Sequence, residues 1–488
     1  MRQKEFIRQE YRTIFKHVGT LLLGNSVLTL IPLVFLTFDV SESVHAIWFL
    51  IPALISALAG ITLRLLGRKT VEVTLNLAEG GVVVLISWLV VIVICALPFF
   101  FSGLCNFRNS LFESVSGWTT TGLSVLDVSR TPSIFLLWRS VLQFAGGAGL
   151  AIIMLSAIMG PHGTGLYQAE GHTEQLLPHV KRSAKMVVSI YSAYAAAGIA
   201  LYILAGMRPF DAINHSLCSV STGGFSTRTE SIGYYNSAFV ELVTIVLMLL
   251  GATNFAAHYL LWRGRLKAFT RNGEIRLAAV LLIIFIPVVL VAVCVPLYPA
   301  KQAVRASIFE TVSALSTTGY TTVSYANWSN FGIGCLVLLM LVGGGICSTA
   351  GGIKQYRIFL LLKSVVWEIK SHLLPRSAVQ ENYIWRGENK FYVSAEHIKE
   401  AGNFFFIYLG TYLVGVLIFL AYGCSFRDSL FEFASALGTV GLSVGITGPG
   451  APAGILWTEM AGMFLGRLEF FVIVYSLLKI LRDVKSRK

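Results

Sequence analysis

Charge is scarce in this chain: Asp, Glu, Lys and Arg make up 13% of its 488 residues, while 55% are hydrophobic. Soluble globular domains carry about a quarter charged residues, so this composition excludes one and points to an integral membrane protein. Acidic residues are the scarcer sign, 25 against 38 basic ones, and the net charge of +13 raises the question of nucleic acid. The distribution of the charge answers it. Basic clusters occur at Arg2 to Lys16, at Arg64, Arg68 and Lys69, at Lys181, Arg182 and Lys185, and at Arg263 to Arg271. They continue from Lys354 to Lys399 and from Lys479 to Lys488, so that every second loop and both tails are basic. That is the positive-inside pattern, with both termini expected in the cytoplasm, a lipid bilayer as surroundings and no nucleic-acid partner.

Other absences narrow the function. The seven cysteines show no metal or redox spacing and lie mostly in apolar segments, so they read as packing residues. Of nine histidines only His258 lies well within an apolar stretch, which leaves no pair of axial ligands for a haem and argues against a membrane-embedded enzyme. No phosphate-binding loop is present, so nucleotide control would need a separate subunit. No pair of mid-membrane carboxylates is obviously placed as a proton relay, and proton coupling stays open. The N-terminus is polar and basic with no clear cleavage site, so the first apolar stretch is expected to remain in the mature protein.

What the chain has in abundance is apolar sequence of spanning length. Stretches near 19–38, 46–66, 77–100, 135–159, 185–206, 238–262, 276–298, 331–361, 401–422 and 455–481 are each long enough to cross a bilayer as helix. The expected fold is therefore an all-α polytopic membrane protein with ten transmembrane helices. Polar hairpins interrupt the apolar sequence four times, in register: Thr119-Thr120-Thr121-Gly122, Ser221-Thr222-Gly223-Gly224, Ser316-Thr317-Thr318-Gly319 and Gly438-Thr439-Val440-Gly441. Upstream lie Ser110-Leu111-Phe112-Glu113, Ser307-Ile308-Phe309-Glu310 and Ser429-Leu430-Phe431-Glu432, with His215 at the Glu position of the second repeat.

Four pseudo-repeats of helix, re-entrant pore loop and helix around one central pore follow from this pattern. The division is 1–70 for a two-span extension, 71–160, 161–265, 266–362 and 401–488 for the repeats, and 363–400 for a cytoplasmic linker. Irregular backbone at membrane depth survives only when buried in protein or lining a water-filled cavity, so the hairpins are expected to meet at an axis. There, backbone carbonyls can replace the water shell of an alkali cation, and glycine permits the dihedrals that aim them.

The Ser-x-x-Glu sequences read as capping boxes, with ion-binding carboxylates as the alternative; His215 reads as a hydrogen-bonding scaffold residue. The third inner span carries Gly343-Gly344-Gly345-Ile346-Cys347-Ser348-Thr349-Ala350-Gly351-Gly352, a poor helix former. It reads as a broken helix that can obstruct conduction beneath the hairpins, or as a glycine surface for close packing. Arg467 is a charge inside the fourth inner span, where burial is expensive and usually functional; the structural alternative is a salt bridge to Glu459. Arg139 reads as an anchor or as support for the hairpins.

These residues resemble the Trk/Ktr/HKT superfamily of potassium transporters, and the two additional N-terminal spans resemble its bacterial Trk branch. The resemblance extends to Trp138-Arg139-Ser140 with Gly146-Gly147, to Leu341 through Lys354, and to Gly466-Arg467-Leu468-Glu469. It implies potassium as the transported ion, bound at the hairpin residues named above, and a homodimer with one pore per chain in the cell inner membrane. It further implies a cytoplasmic nucleotide-binding regulatory ring of the NAD/ATP type. The gate would be Gly343, Gly344, Gly345, Ser348, Thr349, Gly351, Gly352 and Arg467, the arginine projecting into the pore as an electrostatic barrier. Glycine at all four hairpin positions accompanies potassium selectivity in this family. A sodium-permeable or proton-coupled cation symporter of the same fold is the alternative.

Overall fold

Six of the expected spans form continuous helices. In the computed structural model, which describes residues 2–68, 77–147, 149, 180–375, 380–386, 389–468 and 470–487, helices of spanning length and apolarity lie within Ile7–Thr37, Ile47–Leu66, Ala78–Phe101, Lys185–Leu204, Gly273–Leu297 and Ala395–Ala421. Three of the other four stretches do not run straight. The one expected at 238–262 is Ala238–Ala252 followed by Phe255–Trp262, bent by 110°. That at 331–361 divides into Asn330–Val342 and Gln355–Leu373, and that at 455–481 into Ala453–Arg467 and Phe470–Arg487. Helix Ser133–Gly147 covers the start of 135–159, whose remainder, with the boundary expected at 160, lies outside the described residues.

Of these breaks only that within 331–361 was legible in the sequence. Hydropathy registers composition over a window and is blind to one residue that redirects the backbone. At the break within 238–262 Asn254 supplies that redirection, its side chain accepting from the Ala256 amide at 2.8 Å to start a new helix. At the break within 455–481, Leu468 leaves the helix with φ −86° and ψ 125°.

Each hairpin is preceded by a short helix: Phe107–Trp118, Pro209–Val220, Ala300–Leu315 and Phe426–Leu437. Three of them have 12 residues and Ala300–Leu315 has 16, about 18 and 24 Å of helix, short of the hydrocarbon core. Their C-terminal halves are buried except for the partly exposed Leu217 and Ile308, surrounded by the longer helices.

The N-terminal pair packs backbone to backbone. A Cβ on Gly19 would lie 2.7 Å from the Gly60 carbonyl and one on Gly60 2.8 Å from that of Gly19, the small-residue contact that holds membrane helices together. Glu42, in the loop joining the pair, accepts from the Ser133 and Ile134 amides at 2.9 and 2.8 Å and so caps the next inner helix. On the other side, buried Lys479 lies 3.2 Å from Glu10, 3.8 Å from Glu79 and 3.4 Å from Asp483, fastening the C-terminal helix to the first and third spans.

The all-α expectation needs one correction. Within the 363–400 linker, Tyr383–Arg386 pairs antiparallel with Asn389–Tyr392, Ile384 opposite Phe391. Ile384 is buried in a small cluster with Leu360, Trp367 and Ala401, and alternate burial of apolar side chains favours a strand there over helix.

Candidate ion pathway

The four hairpins share one backbone conformation. Thr119, Ser221, Ser316 and Gly438 cap their short helices in right-handed geometry, with φ between −79° and −73°. The next residue turns left-handed in every case: Thr120 at φ 57°, Thr222 at 49°, Thr317 at 54° and Thr439 at 49°. Two residues on, Gly122 (94°), Gly224 (74°), Gly319 (81°) and Gly441 (94°) are left-handed again. A threonine in this region is uncommon and is held there by its surroundings.

Here the hold is the helix just ended. The Thr120, Thr222, Thr317 and Thr439 amides donate to Gly117, Ser219, Ala314 and Ala436, and the Thr121, Gly223, Thr318 and Val440 amides to Ser116, Cys218, Ser313 and Ser435. Their N–H groups are thus turned back toward the helix. Among the described residues no protein donor reaches the carbonyls of Thr120, Thr121, Thr317, Thr318, Thr439 or Val440.

The hairpins close on one another in chain order. A Cβ on Gly122 would strike the carbonyl of Gly223, on Gly224 that of Thr318, on Gly319 that of Val440, and on Gly441 that of Thr121. First meets second, second third, third fourth, and fourth first. The sequence register is thus reproduced as a closed ring in which each glycine lies against the carbonyl preceding the next glycine.

Behind the ring, the Glu positions take a role other than capping. The first short helix begins at Phe107 with Asn106 as its cap, so Ser110 is already one turn inside and bonds back to the Asn106 carbonyl at 3.0 Å. The capping-box expectation is corrected accordingly. Glu113 instead accepts from Ser124 Oγ and the Val125 amide, at 2.7 and 2.6 Å, on the strand leaving the hairpin. Glu310 accepts from the Thr322 amide at 2.8 Å and from the Tyr325 hydroxyl. Glu432 accepts from Ser443 Oγ at 2.6 Å and the Val444 amide at 2.9 Å, while His215 Nε2 lies 3.0 Å from Ser226 Oγ. Each of these side chains joins the descending helix to the ascending strand.

Arg139 joins this shell, as expected of a support. Its guanidinium bonds Glu113 at 3.1 Å with both side chains buried, and stacks on the Phe225 ring 3.9 Å from its centre. Gln143 was not singled out from the sequence. Its Nε2 donates to the Gly223 carbonyl and its Oε1 accepts from the Phe225 amide at 3.1 Å, clamping the second hairpin. A lone amide in the apolar run Ser133–Gly147 was the available signal.

The glycine-rich segment of the third inner span lies directly against the ring. Helix Asn330–Val342 ends at Gly343 (φ 71°), and the chain returns on itself, Ile353 and Lys354 donating to Leu341 and Val342 at 2.9 and 3.0 Å. At its turn, Thr349 Oγ1 lies 3.0 Å from Thr222 Oγ1 and bonds the Val220 carbonyl at 3.1 Å, while the Gly351 amide donates to Thr317 Oγ1 at 2.8 Å. A Cβ on Gly351 would strike the Gly438 carbonyl and Thr439 Oγ1. Toward the other end, the Gly345 amide donates to Ala252 at 2.9 Å, Ser348 Oγ bonds the Gly345 carbonyl at 2.6 Å, Gln355 Nε2 bonds that of Gly343 at 3.0 Å, and the Gln355 amide donates to Gly344 at 2.8 Å. Gly352, left-handed at φ 80°, packs on Gly343. Glu274, also missed from the sequence, accepts from the Ile346 amide at 2.7 Å.

Arg467 bonds the Thr349 carbonyl, and the carbonyls of Gly146 and Gly147 at 2.9 and 3.1 Å. It therefore joins the glycine loop to the end of the first inner helix. The proposed bridge to Glu459 is corrected: Glu459 lies instead against Thr447, at 2.7 Å. Glu469, its neighbour in the sequence motif, lies outside the described residues.

A buried ring in which six carbonyls and the Thr120 and Thr439 hydroxyls have no protein partner among the described residues, enclosed by spanning helices and closed on one side by a hydrogen-bonded loop, defines a membrane protein for passing cations. Comparison with known proteins agrees. The family described as TrkH, cation transport protein, matches residues 49–486, and the chain belongs to that family of transporters rather than to any enzyme class. It is 33% identical over 426 residues to the Trk system potassium uptake protein TrkG of Escherichia coli strain K12, covering 83% of this chain and 86% of that one. An uncharacterized cation transporter of Methanocaldococcus jannaschii is 30% identical over 434 residues, 87% of each chain. The crystal structure of the potassium transporter TrkH from Vibrio parahaemolyticus superposes with a TM-score of 0.84 at 27% identity, over 95% of this chain and 98% of that one.

Proposed function

We propose that this protein takes up potassium across the cell inner membrane through the ring of hairpins acting as a selectivity filter. The observation that carries the reading is the cyclic contact of the four glycines, because it sets four equivalent backbone strands around a single axis. Carbonyls freed of protein donors, with the Thr and Ser hydroxyls beneath them, supply uncharged oxygens that hold an alkali cation and still release it. The C-terminal ends of the four short helices add about half a negative charge each near the axis. In this reading the chain has ten spans, with both termini cytoplasmic, in four pseudo-repeats plus an N-terminal pair.

The glycine loop Gly343–Gly352 is the gate. In this reading the loop, hydrogen-bonded to Thr222 and Thr317, lies across the cytoplasmic mouth of the filter, and Arg467 holds it there while bringing positive charge to the cation path. Opening requires that these bonds be exchanged, and a cytoplasmic nucleotide-binding ring docked on the basic face would drive the exchange. A homodimer would carry one such pore per chain. Names of the relatives and glycine at all four ring positions both favour potassium over sodium.

Rubidium or potassium flux into proteoliposomes, with sodium as competitor and with or without an imposed proton gradient, tests the reading. Potassium-selective flux is expected. Equal sodium and potassium rates would remove the filter assignment.

A further inference from the structure

The fourth quarter of the ring holds two buried carboxyl groups that share one hydroxyl. Thr447 Oγ1 lies 2.5 Å from Glu432 Oε1 and 2.7 Å from Glu459 Oε1. A threonine hydroxyl has one proton to donate, so it cannot donate to both. Glu432 is the group equipped to be ionised: besides Thr447 Oγ1 it accepts from Ser443 Oγ at 2.6 Å and from the Val444 and Thr447 amides at 2.9 and 3.0 Å. Glu459 has no such shell. It is fully buried, and its Oε2 has no hydrogen-bond partner among the described residues.

An ionised carboxylate so placed would be far costlier than a neutral acid. The arrangement closes only when Glu459 carries a proton and donates it to Thr447, which in turn donates to Glu432.

Among the described residues no cation is at hand to replace that proton. The elements packed against the Glu459 helix, Ala453–Arg467, are Phe426–Leu437, Ala395–Ala421, Phe107–Trp118 and Phe470–Arg487. The first presents Glu432, with Asp428 bonded to Ser425 and Arg427 to the Tyr325 carbonyl at its outer end. Ala395–Ala421 carries Tyr408 and Tyr412, with Tyr422 and the Cys424 thiol past its end. Glu113, on Phe107–Trp118, is paired with Arg139. Lys479 and Asp483, on the last helix, belong to the cluster with Glu10 and Glu79, and Arg467 bonds the Thr349, Gly146 and Gly147 carbonyls.

The outer solution lies close by. Ser443, Val444 and Gly445 line a cavity of about 470 Å³ with Thr321, Thr322 and Glu230, and Thr447 itself is only partly buried.

We propose that Glu459, Thr447 and Glu432 form a binding site for a single proton, reached from the outside, that fixes the fourth strand of the filter. The claim rests on the filter reading above. With the proton present, one continuous chain of hydrogen bonds anchors Ser443 to Thr447 just beyond Gly441. Its loss leaves two negative charges with one hydroxyl between them, so one carboxylate goes unserved, the pair repels, and the anchor loosens.

The test uses the full chain in proteoliposomes with the internal pH clamped and the external pH stepped from acid to alkaline. Preference for rubidium over sodium should fall as external pH rises, titrating as one proton. Glu459→Gln, whose amide N–H keeps the donor toward Thr447 at every pH, should flatten that profile. A Glu459→Gln profile that keeps the wild-type shape overturns the proposal. Independently of any variant and of transport, infrared difference spectra of the wild-type protein over the same step should show loss of a protonated-carboxyl band, and its absence also overturns the site. Loss of that band without any cation flux would sink the filter reading and leave the proton site standing.

Discussion

Strands two and three of the ring differ from strands one and four in how their left-handed threonine is attached. All four carry a left-handed threonine at the same position, yet Thr222 and Thr317 are bonded to the glycine loop at 3.0 and 2.8 Å, whereas the hydroxyls of Thr120 and Thr439 are buried with no partner among the described residues. Identical backbone therefore serves two purposes. Half of the ring bonds the loop through its threonine hydroxyls; in the other half, under the filter reading proposed above, those hydroxyls would be left for an ion. A tetramer of identical subunits could not divide the work in this way; a single chain with four unequal quarters can.

That division can be attacked from several sides, beginning with the loop itself. Deleting part of Gly343–Gly352 should release the filter mouth. Bonds of about 1 kcal/mol each at Thr222, Thr317 and Arg467 together correspond to about a hundredfold shift toward the open state, read as basal rubidium flux. A folded deletion variant conducting less than wild type would remove the gate assignment.

Arg467→Gln should raise flux by roughly tenfold, the effect of losing charged hydrogen bonds of about 1.5 kcal/mol or more. If the variant merely fails to fold, Arg467 is a structural clamp and nothing else. Gly122→Ser should reduce potassium-over-sodium preference by about tenfold, about 1.4 kcal/mol. Its side chain would meet the Gly223 carbonyl at a left-handed φ of 94°, and ion ratios in vesicles measure the outcome.

The sharpest comparison has the smallest effects. Thr222→Val should raise basal flux about fivefold, equivalent to one lost hydrogen bond of about 1 kcal/mol. Thr120→Val should leave basal gating unchanged and alter only ion preference. Equal effects of the two on gating would erase the distinction between the halves.

The ring was legible because glycine and threonine mark it: the register read from four short strings coincides with the register of left-handed residues. The glycine loop was legible for the same reason, since so poor a helix former rarely sits inside an apolar span. The bends at Asn254 and after Arg467 were not, because one polar residue hardly alters the hydropathy of a window. Glu113, Glu310 and Glu432 were seen, yet their purpose was misread, since Ser-x-x-Glu spacing looks the same at the start of a helix and one turn inside it. Gln143, Glu274 and the meeting of Glu432 with Glu459 depend on contacts between distant segments, which no local pattern encodes.

Because each glycine lies against the carbonyl of the following quarter, and the fourth lies against the first, the ring has four seams and no beginning. Removing any one quarter would open two seams at once, so a three-quarter assembly keeps only half of the closure, and the last quarter synthesised completes both of its own. The seams require the cyclic order of the quarters and are indifferent to where the polypeptide starts.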